Sequence, residues 1–299
     1  MKIGIALPAQ VAGVTRKDAL GFAQRAERHG LDSLWVLDRL IYPSLAPLPL
    51  LAAAAVTERV RLGTSILLGT LWNPMLLAKE AATVQRLSDG RFILGMAMGA
   101  RDADFEAAGV PIKTRPRRLE ETVALLRQAM AGKAVDHQGR TFQIQVGPLA
   151  LPDTPPTPIW LGGFAEDAIR RAVRLGDGFV VGGRGPDYGR EVVPLVRKLA
   201  GEAGKDPARF PIAALMYACF DQDPERATKT MTDYITGYYG RMIFDPAKNA
   251  ICGGMREAVA RLDDYAAVGV DTLVIVPVTR DPEQVDRLAE AVAARGGQK

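Results

Sequence analysis

The stretch Arg61-Leu62-Gly63-Thr64-Ser65-Ile66-Leu67-Leu68-Gly69, then a helical pattern, then Gly90-Arg91-Phe92-Ile93-Leu94-Gly95-Met96-Ala97-Met98-Gly99, decides the fold. Two apolar runs of strand length flank one amphipathic segment, which is a βαβ unit with parallel strands. Asn73 and Pro74 supply a helix cap and a first-turn proline. Leu77, Ala81, Val84 and Leu87 recur at helical spacing, and Asp89-Gly90 closes the helix with a residue suited to the left-handed conformation. Both runs end in small residues, Gly69-Thr70 and Met98-Gly99-Ala100. Parallel α/β sheets bind ligands at the carboxyl ends of their strands, where glycine lets a ring or an anion approach the backbone. Tight turning alone accounts for one such pair, but a similar pattern recurs downstream.

Outward from this unit the alternation continues. Lys2 to Leu7 reads as a first strand, and Thr15 caps a helix over 16–29. Ser33 to Asp38 is a second strand, followed by a short helix from Pro47 to Thr57. After the central unit come a short acidic helix, Asp102 to Ala108, and a longer one, Arg115 to Met130. Val135 to Ile144 reads as a hairpin turning at Gln138-Gly139, and Pro148 to Pro158 as a rigid connector back to the same sheet. Strands are then expected at Pro158 to Gly163, Asp177 to Gly183, Phe210 to Phe220 and Asp271 to Pro277. Helices are expected at Glu166 to Leu175, Tyr188 to Ala203 with a possible kink at Pro194, Pro224 to Tyr239, Gly254 to Val268 and Pro282 to Arg295. Eight strand-helix units without a shorter repeat fit a (β/α)8 TIM barrel with a hairpin insertion and extra helices in the strand-end loops. An open doubly wound sheet is the competing fold, disfavoured by the lack of a first-turn Gly-x-Gly-x-x-Gly.

The composition narrows the function. Of 299 residues, 48% are apolar, enough for a large core, yet none of the apolar runs is long enough to span a membrane. The start, Met1 to Ile5, enters a strand pattern directly and lacks signal-peptide features, so a cytoplasmic protein is expected. Two cysteines and two distant histidines, His29 and His137, offer neither a disulfide framework nor a metal site. A net charge of +4, mixed along the helices, describes a solvated surface with at most weak attraction for anions. Basic blocks with interleaved aromatics are missing, which disfavours nucleic acid.

In a barrel the strand carboxyl ends share one face. Two successive loops there carry Gly162-Gly163 and Gly182-Gly183-Arg184, whose amides and guanidinium suit a phosphate. The strand ends show no Ser-His-Asp set, carboxylate cluster or lysine, so a cofactor is expected to carry the reaction. Trp35 and Trp160 read as core, Cys219 as a small apolar filler, His29 and His137 as exposed. Met96 and Met98 alternate along their strand and are both expected to point into the barrel.

Across most of its length the chain resembles the bacterial luciferase-like superfamily of flavin- and deazaflavin-dependent oxidoreductases. The resemblance is carried by Ser33 to Asp38, Arg59 to Thr64, Ala78-Lys79-Glu80 with Leu87 to Arg91, Asp104-Phe105-Glu106 with Gly109-Val110, Gly139 to Phe142, and Pro158 to Gly163 followed by Ala172 and Gly176-Asp177-Gly178. It implies a luciferase-like barrel over residues 1–299, binding coenzyme F420 or FMN at the strand carboxyl ends. It also implies a non-proline cis peptide in the third strand, here Ser65-Ile66, against the cofactor ring. Asp38 stands where the deazaflavin branch has an Asp-His pair, but Arg39 replaces the His. Ala100 stands where the sugar-phosphate dehydrogenases of that branch carry an acid. Arg39 stays protonated and so cannot act as a general acid. It could hold an anionic substrate or stabilise developing charge, the alternative being an ion pair with Asp38.

The expected function is therefore F420-dependent hydride transfer to or from a small organic substrate. The alternatives are an FMN-dependent monooxygenase supplied with reduced flavin, and a barrel that has lost its cofactor. Ser65, Ile66, Met98, Gly99, Gly162, Gly163, Val181, Gly182, Gly183 and Arg184 are expected around the cofactor. Asp38 and Arg39 are expected at the reaction, with Trp72, Ala100 and Arg101 near the substrate. A homodimer packed through the early helices and a flavin or F420 reductase as partner complete the expectation.

Overall fold

A computed structural model describes residues 1–55, 57–149 and 153–296. In chain order the strands are β1 (Lys2–Ala6), β2 (Ser33–Val36), β3 (Arg61–Thr64), β4 (Phe92–Met96), β5 (Val135–Gln138), β6 (Gln143–Val146), β7 (Ile159–Gly162), β8 (Gly178–Val181), β9 (Ile212–Phe220), β10 (Ile251–Gly253) and β11 (Thr272–Pro277). The helices are α1 (Arg16–Arg28), α2 (Pro47–Ala54), α3 (Pro74–Leu87), α4 (Asp102–Ala107), α5 (Arg115–Met130), α6 (Glu166–Leu175), α7 (Pro186–Glu202), α8 (Pro224–Tyr239), α9 (Pro246–Asn249), α10 (Met255–Val268) and α11 (Glu283–Gly296). None of the described helices is long and apolar enough to cross a membrane.

Parallel pairing runs β1-β2-β3-β4-β7-β8-β9-β11 and returns to β1, closing an eight-stranded barrel. The expected βαβ unit is present as β3, α3 and β4. Asn73 accepts hydrogen bonds from the amides of Met75 and Leu76, Pro74 opens the helix, and Asp89 and Gly90 both take positive φ beyond its end. Thr15 and Asp18 form a reciprocal capping box at α1.

One strand escapes a sequence reading. β10 has only three residues, and it pairs with β9 at Ala218–Phe220, past the point where β8 leaves the same edge. The antiparallel β5–β6 hairpin lies outside the barrel. Glu121 of α5 holds it by accepting from the amides of Thr141 and Phe142 and bonding His137. His137 is therefore partly buried rather than exposed, whereas His29 is exposed and bonds Asp286. Residues 150–152 of the expected proline-rich connector lie outside the described residues.

The sheet separates two apolar cores. An outer core fills the space between strands and helices; an inner one, including Ala6, Trp35, Ile93, Trp160, Val180, Leu215, Cys219 and Val274, fills the barrel. Trp35 and Trp160 lie with ring centroids 5.8 Å apart, and Trp35 Nε1 donates to Ser33 Oγ at 2.8 Å. Both tryptophans need neighbours without side chains. A Cβ at Gly63 would stand 2.4 Å from the Trp35 ring, and one at Gly178 would stand 2.7 Å from Trp160 Nε1. Met96 belongs to the outer core, so the expectation that it points into the barrel is corrected: Ile93 holds the inward phase of β4.

The barrel interior sets a measurable constraint. Gly63→Ala forces its methyl into the Trp35 ring and is expected to lower unfolding free energy by about 1–3 kcal/mol in denaturant titrations. Gly147→Ala, where an added Cβ meets nothing within 4 Å, should leave the midpoint unchanged or slightly raised.

Candidate active site

The carboxyl ends of the barrel strands gather most of the expected residues. The peptide Ser65-Ile66 is cis, as the resemblance implied. Here β3 bulges away from β4 and then rejoins it: Ser65 N donates to Val36 O, and Leu67 N to Gly95 O, each at 2.8 Å. The Ile66 side chain turns across β4 and β7. A Cβ at Gly162 would stand 2.5 Å from Ile66 Cδ1, and one at Gly95 would stand 3.3 Å from Ile66 Cγ2. Two glycines thus make room for Ile66, which remains partly exposed at the mouth.

Asp38 fastens the far side of this bulge. Its Oδ2 accepts from Leu68 N at 2.9 Å. Burial pushes its carboxyl above the usual aspartate range and nearby Asp104 adds to the rise, while the Leu68 amide opposes both. Asp38 makes no ion pair with Arg39. The guanidinium of Arg39 instead lies 5.3 Å from the Tyr42 ring centroid and 5.2 Å from that of Tyr238. Arg101 lies 5.4 Å from Tyr238 and 5.0 Å from Tyr239. Ala100, beside it, is exposed.

The two glycine loops do not form a symmetrical cup. Gly162 faces Ile66, and Gly183 faces Tyr217, 3.0 Å from an added Cβ. Gly163 packs on Ala168 of α6 instead, and the Phe164 ring lies over Gly182. Arg184 stacks on Phe164 at 4.4 Å from its centroid. Neither α6 nor α7 has a side-chain cap, so first-turn amides are left to an outside acceptor.

Three expected residues keep their side chains away from the mouth. Val181 belongs to the outer core, and Trp72 is packed against it. Met98 packs there too, with its sulfur 3.7 Å from Arg171 Nη1 and its carbonyl accepting from Thr70 Oγ1. Gly99, at φ 75°, abuts Phe105 and Leu68.

The residues that sequence reasoning missed are aromatic. Tyr234, Tyr238 and Tyr239 of α8 join Tyr42, Phe244 and Tyr217 of β9 at the mouth, and the hydroxyls of Tyr217 and Tyr239 bond at 2.7 Å. Burial keeps the Tyr217, Tyr234, Tyr238 and Tyr239 hydroxyls protonated well beyond neutral pH. Three of the chain's seven tyrosines within six positions, at helical i, i+4 spacing, were the available signal.

Buried polar atoms without partners test whether a ligand fits here. Five of the nine buried side-chain atoms without partners among the described residues lie here: Gln10 Nε2, Arg39 Nε and Nη1, Ser65 Oγ and Thr279 Oγ1. They follow β1, β2, β3 and β11, which are contiguous in the barrel. Buried polar atoms ordinarily find partners, so an unpaired arc around one opening suits a polar ligand. The described residues contain no cluster of three His, Cys, Asp or Glu able to hold a metal ion.

Comparison with known proteins bears on the family and the fold. The family model described as luciferase-like monooxygenase matches residues 1–271. An F420-dependent glucose-6-phosphate dehydrogenase of Amycolatopsis mediterranei is 30% identical over 242 residues, covering 76% of this chain and 72% of that one. An uncharacterised protein of Mycobacterium tuberculosis is 32% identical over 188 residues, covering 62% of this chain and only 65% of its own length. Among solved structures, an F420-dependent secondary alcohol dehydrogenase bound to an F420-acetone adduct superposes with a TM-score of 0.83 at 21% identity, covering 98% of each chain. The monooxygenase RslO1 of Streptomyces bottropensis also reaches 0.83 at 21% identity, covering 99% of this chain and 100% of that one. At such identities the structural matches speak to the fold.

The Asp38 contact sets a pH-dependent expectation. A carboxyl raised by folding stabilises the fold below its unfolded value, and that contribution is lost as pH rises through the folded value. Asp38→Asn keeps an acceptor for Leu68 N and removes the buried charge. At about pH 7 it should unfold at a denaturant concentration no lower than the parent, with any advantage vanishing near pH ~4. Asp38→Ala leaves the amide unpaired and should cost about 1–3 kcal/mol at either pH.

Proposed function

Because this chain belongs to the luciferase-like monooxygenase family, we propose that it is an oxidoreductase using coenzyme F420 at the barrel mouth to act on a small organic substrate. The observation that supports this reading is the set of unpaired buried atoms on Gln10, Ser65 and Thr279 at the carboxyl ends of neighbouring barrel strands, where Ile66 lies across Gly95 and Gly162. F420 is preferred over FMN because relatives at about 30% identity are named F420-dependent dehydrogenases and because Asp38 is retained. When bound, the deazaflavin supplies two-electron hydride chemistry.

The chain's own residues would position that chemistry. Ile66, supported on Gly95 and Gly162, offers an apolar platform for a flat ring. Asp38 fixes the platform through Leu68. Gly162, Gly163, Gly182, Gly183 and the uncapped amides of α6 and α7 would hold phosphate, with Arg184 supplying charge. Met98, Gly99 and Val181 would contribute main-chain surface only. Arg39, Ala100 and Arg101 would face the substrate. Since Arg39 and Ala100 replace the His and acid expected in sugar-phosphate dehydrogenases, a substrate other than a sugar phosphate is favoured. The same reading has the protein act in the cytoplasm with a separate F420 or flavin reductase. It also makes it a homodimer through the early helices, where α3 exposes Leu76 and Leu87.

Titration followed by absorption and fluorescence tests the cofactor. F420 should bind and FMN should not; tight FMN binding without F420 binding would reverse the assignment. Arg184→Gln should weaken F420 about tenfold, roughly 1.4 kcal/mol, without shifting the unfolding midpoint.

A further inference from the structure

Many guanidinium groups in this protein stand in ion pairs: Arg25 with Asp286, Arg61 with Asp32, Arg171 with Glu120, Arg197 with Asp271 and Arg261 with Asp264. Arg39 and Arg101 are held by aromatic rings instead. Neither stands in an ion pair among the described residues, and both lie against the ring of Tyr238. The nearby carboxylates are engaged elsewhere, Asp38 with Leu68 N and Asp104 with Ile41 N. Two cations are thus held around one ring with no anion assigned to them, and Arg39 keeps Nε and Nη1 buried without an acceptor. Tyr239 beside them lies in the field of Arg39, Arg101 and Arg184 together. Like charges repel, and a buried donor without an acceptor costs free energy, so the arrangement is complete only with an anion in place.

We infer that Arg39 and Arg101 form an oxyanion clamp, and that the substrate carries a carboxylate or phosphate on an apolar body. This deepens the proposed function, because it takes the barrel mouth as the reaction site. The planar guanidinium fork matches the oxygens of such groups in pairs, which a lysine does not. The apolar body follows from the walls: Tyr42, Tyr238 and Tyr239 flank the guanidiniums, and Leu40 and Ile41 lie exposed beside them. This clamp is distinct from the Arg184 loop, where the guanidinium rests on Phe164 and Tyr188.

Calorimetric titration of the full chain with benzoate, phenyl phosphate and uncharged benzamide tests the clamp, with F420 affinity measured separately on each variant. Benzoate or phenyl phosphate should bind, benzamide should not, and the better of the two anions names the group. Arg39→Gln and Arg101→Gln should each weaken that anion about tenfold or more, while Arg39→Lys recovers only part. Anions binding no better than benzamide, or binding both Gln variants as well as the parent, would overturn the clamp. Should a variant fail to fold, phenylglyoxal labelling of the unmodified protein gives the same answer. The anion must protect Arg39 and Arg101 but not exposed Arg59, and equal labelling with and without it refutes the inference. Loss of F420 binding alongside retained anion binding would count against the cofactor assignment alone.

Discussion

No side chain fits at Gly95. A Cβ there would stand 1.9 Å from the Thr64 carbonyl oxygen, so β3 and β4 come together only because the position is bare. Around it Thr64 Oγ1 and Leu67 N both donate to the Gly95 carbonyl, fixing the chain on either side of Ser65-Ile66. Ile66 then lies inward over Gly95 and Gly162, and Asp38 reaches Leu68 from the neighbouring strand. Platform, carboxyl anchor and the opening above them follow from one missing methyl group.

Around that opening the barrel is asymmetric. The arc from β11 through β1 and β2 to β3 presents buried donors and hydroxyls without partners, on Thr279, Gln10, Arg39 and Ser65. The arc of β7 and β8 presents glycines, with Phe164 and Tyr217 packed against two of them. Between the arcs, α8 contributes tyrosines whose rings carry the guanidiniums of Arg39 and Arg101. One side is built for hydrogen bonding, another for close backbone approach, and the aromatic side holds positive charge in low-dielectric surroundings, where it acts most strongly.

The barrel and its register of helices were legible because their signals are local. Caps such as Thr15 and Asn73, the spacing of Leu77, Ala81 and Val84, and the glycines at strand ends all act within a few residues. Ser65-Ile66 was legible through family resemblance alone, since its partners Gly95 and Gly162 lie on other strands. Long-range facts stayed hidden. The phase of β4, which sends Met96 outward, is set by inward Ile93 and by the bare contact at Gly95. β10 exists because β9 outlasts β8 on one edge, which three residues cannot announce by pattern. The sequence places the tyrosines of α8 in a helix, and only tertiary placement brings them to Arg39 and Arg101.

The tryptophan pair has a kinetic consequence. Trp35 is fully buried and Trp160 nearly so, and their rings occupy the barrel axis beneath Ser65 and Ile66. With the interior packed beneath it, a ligand entering at the strand carboxyl ends has no exit through the barrel and must leave by the way it came.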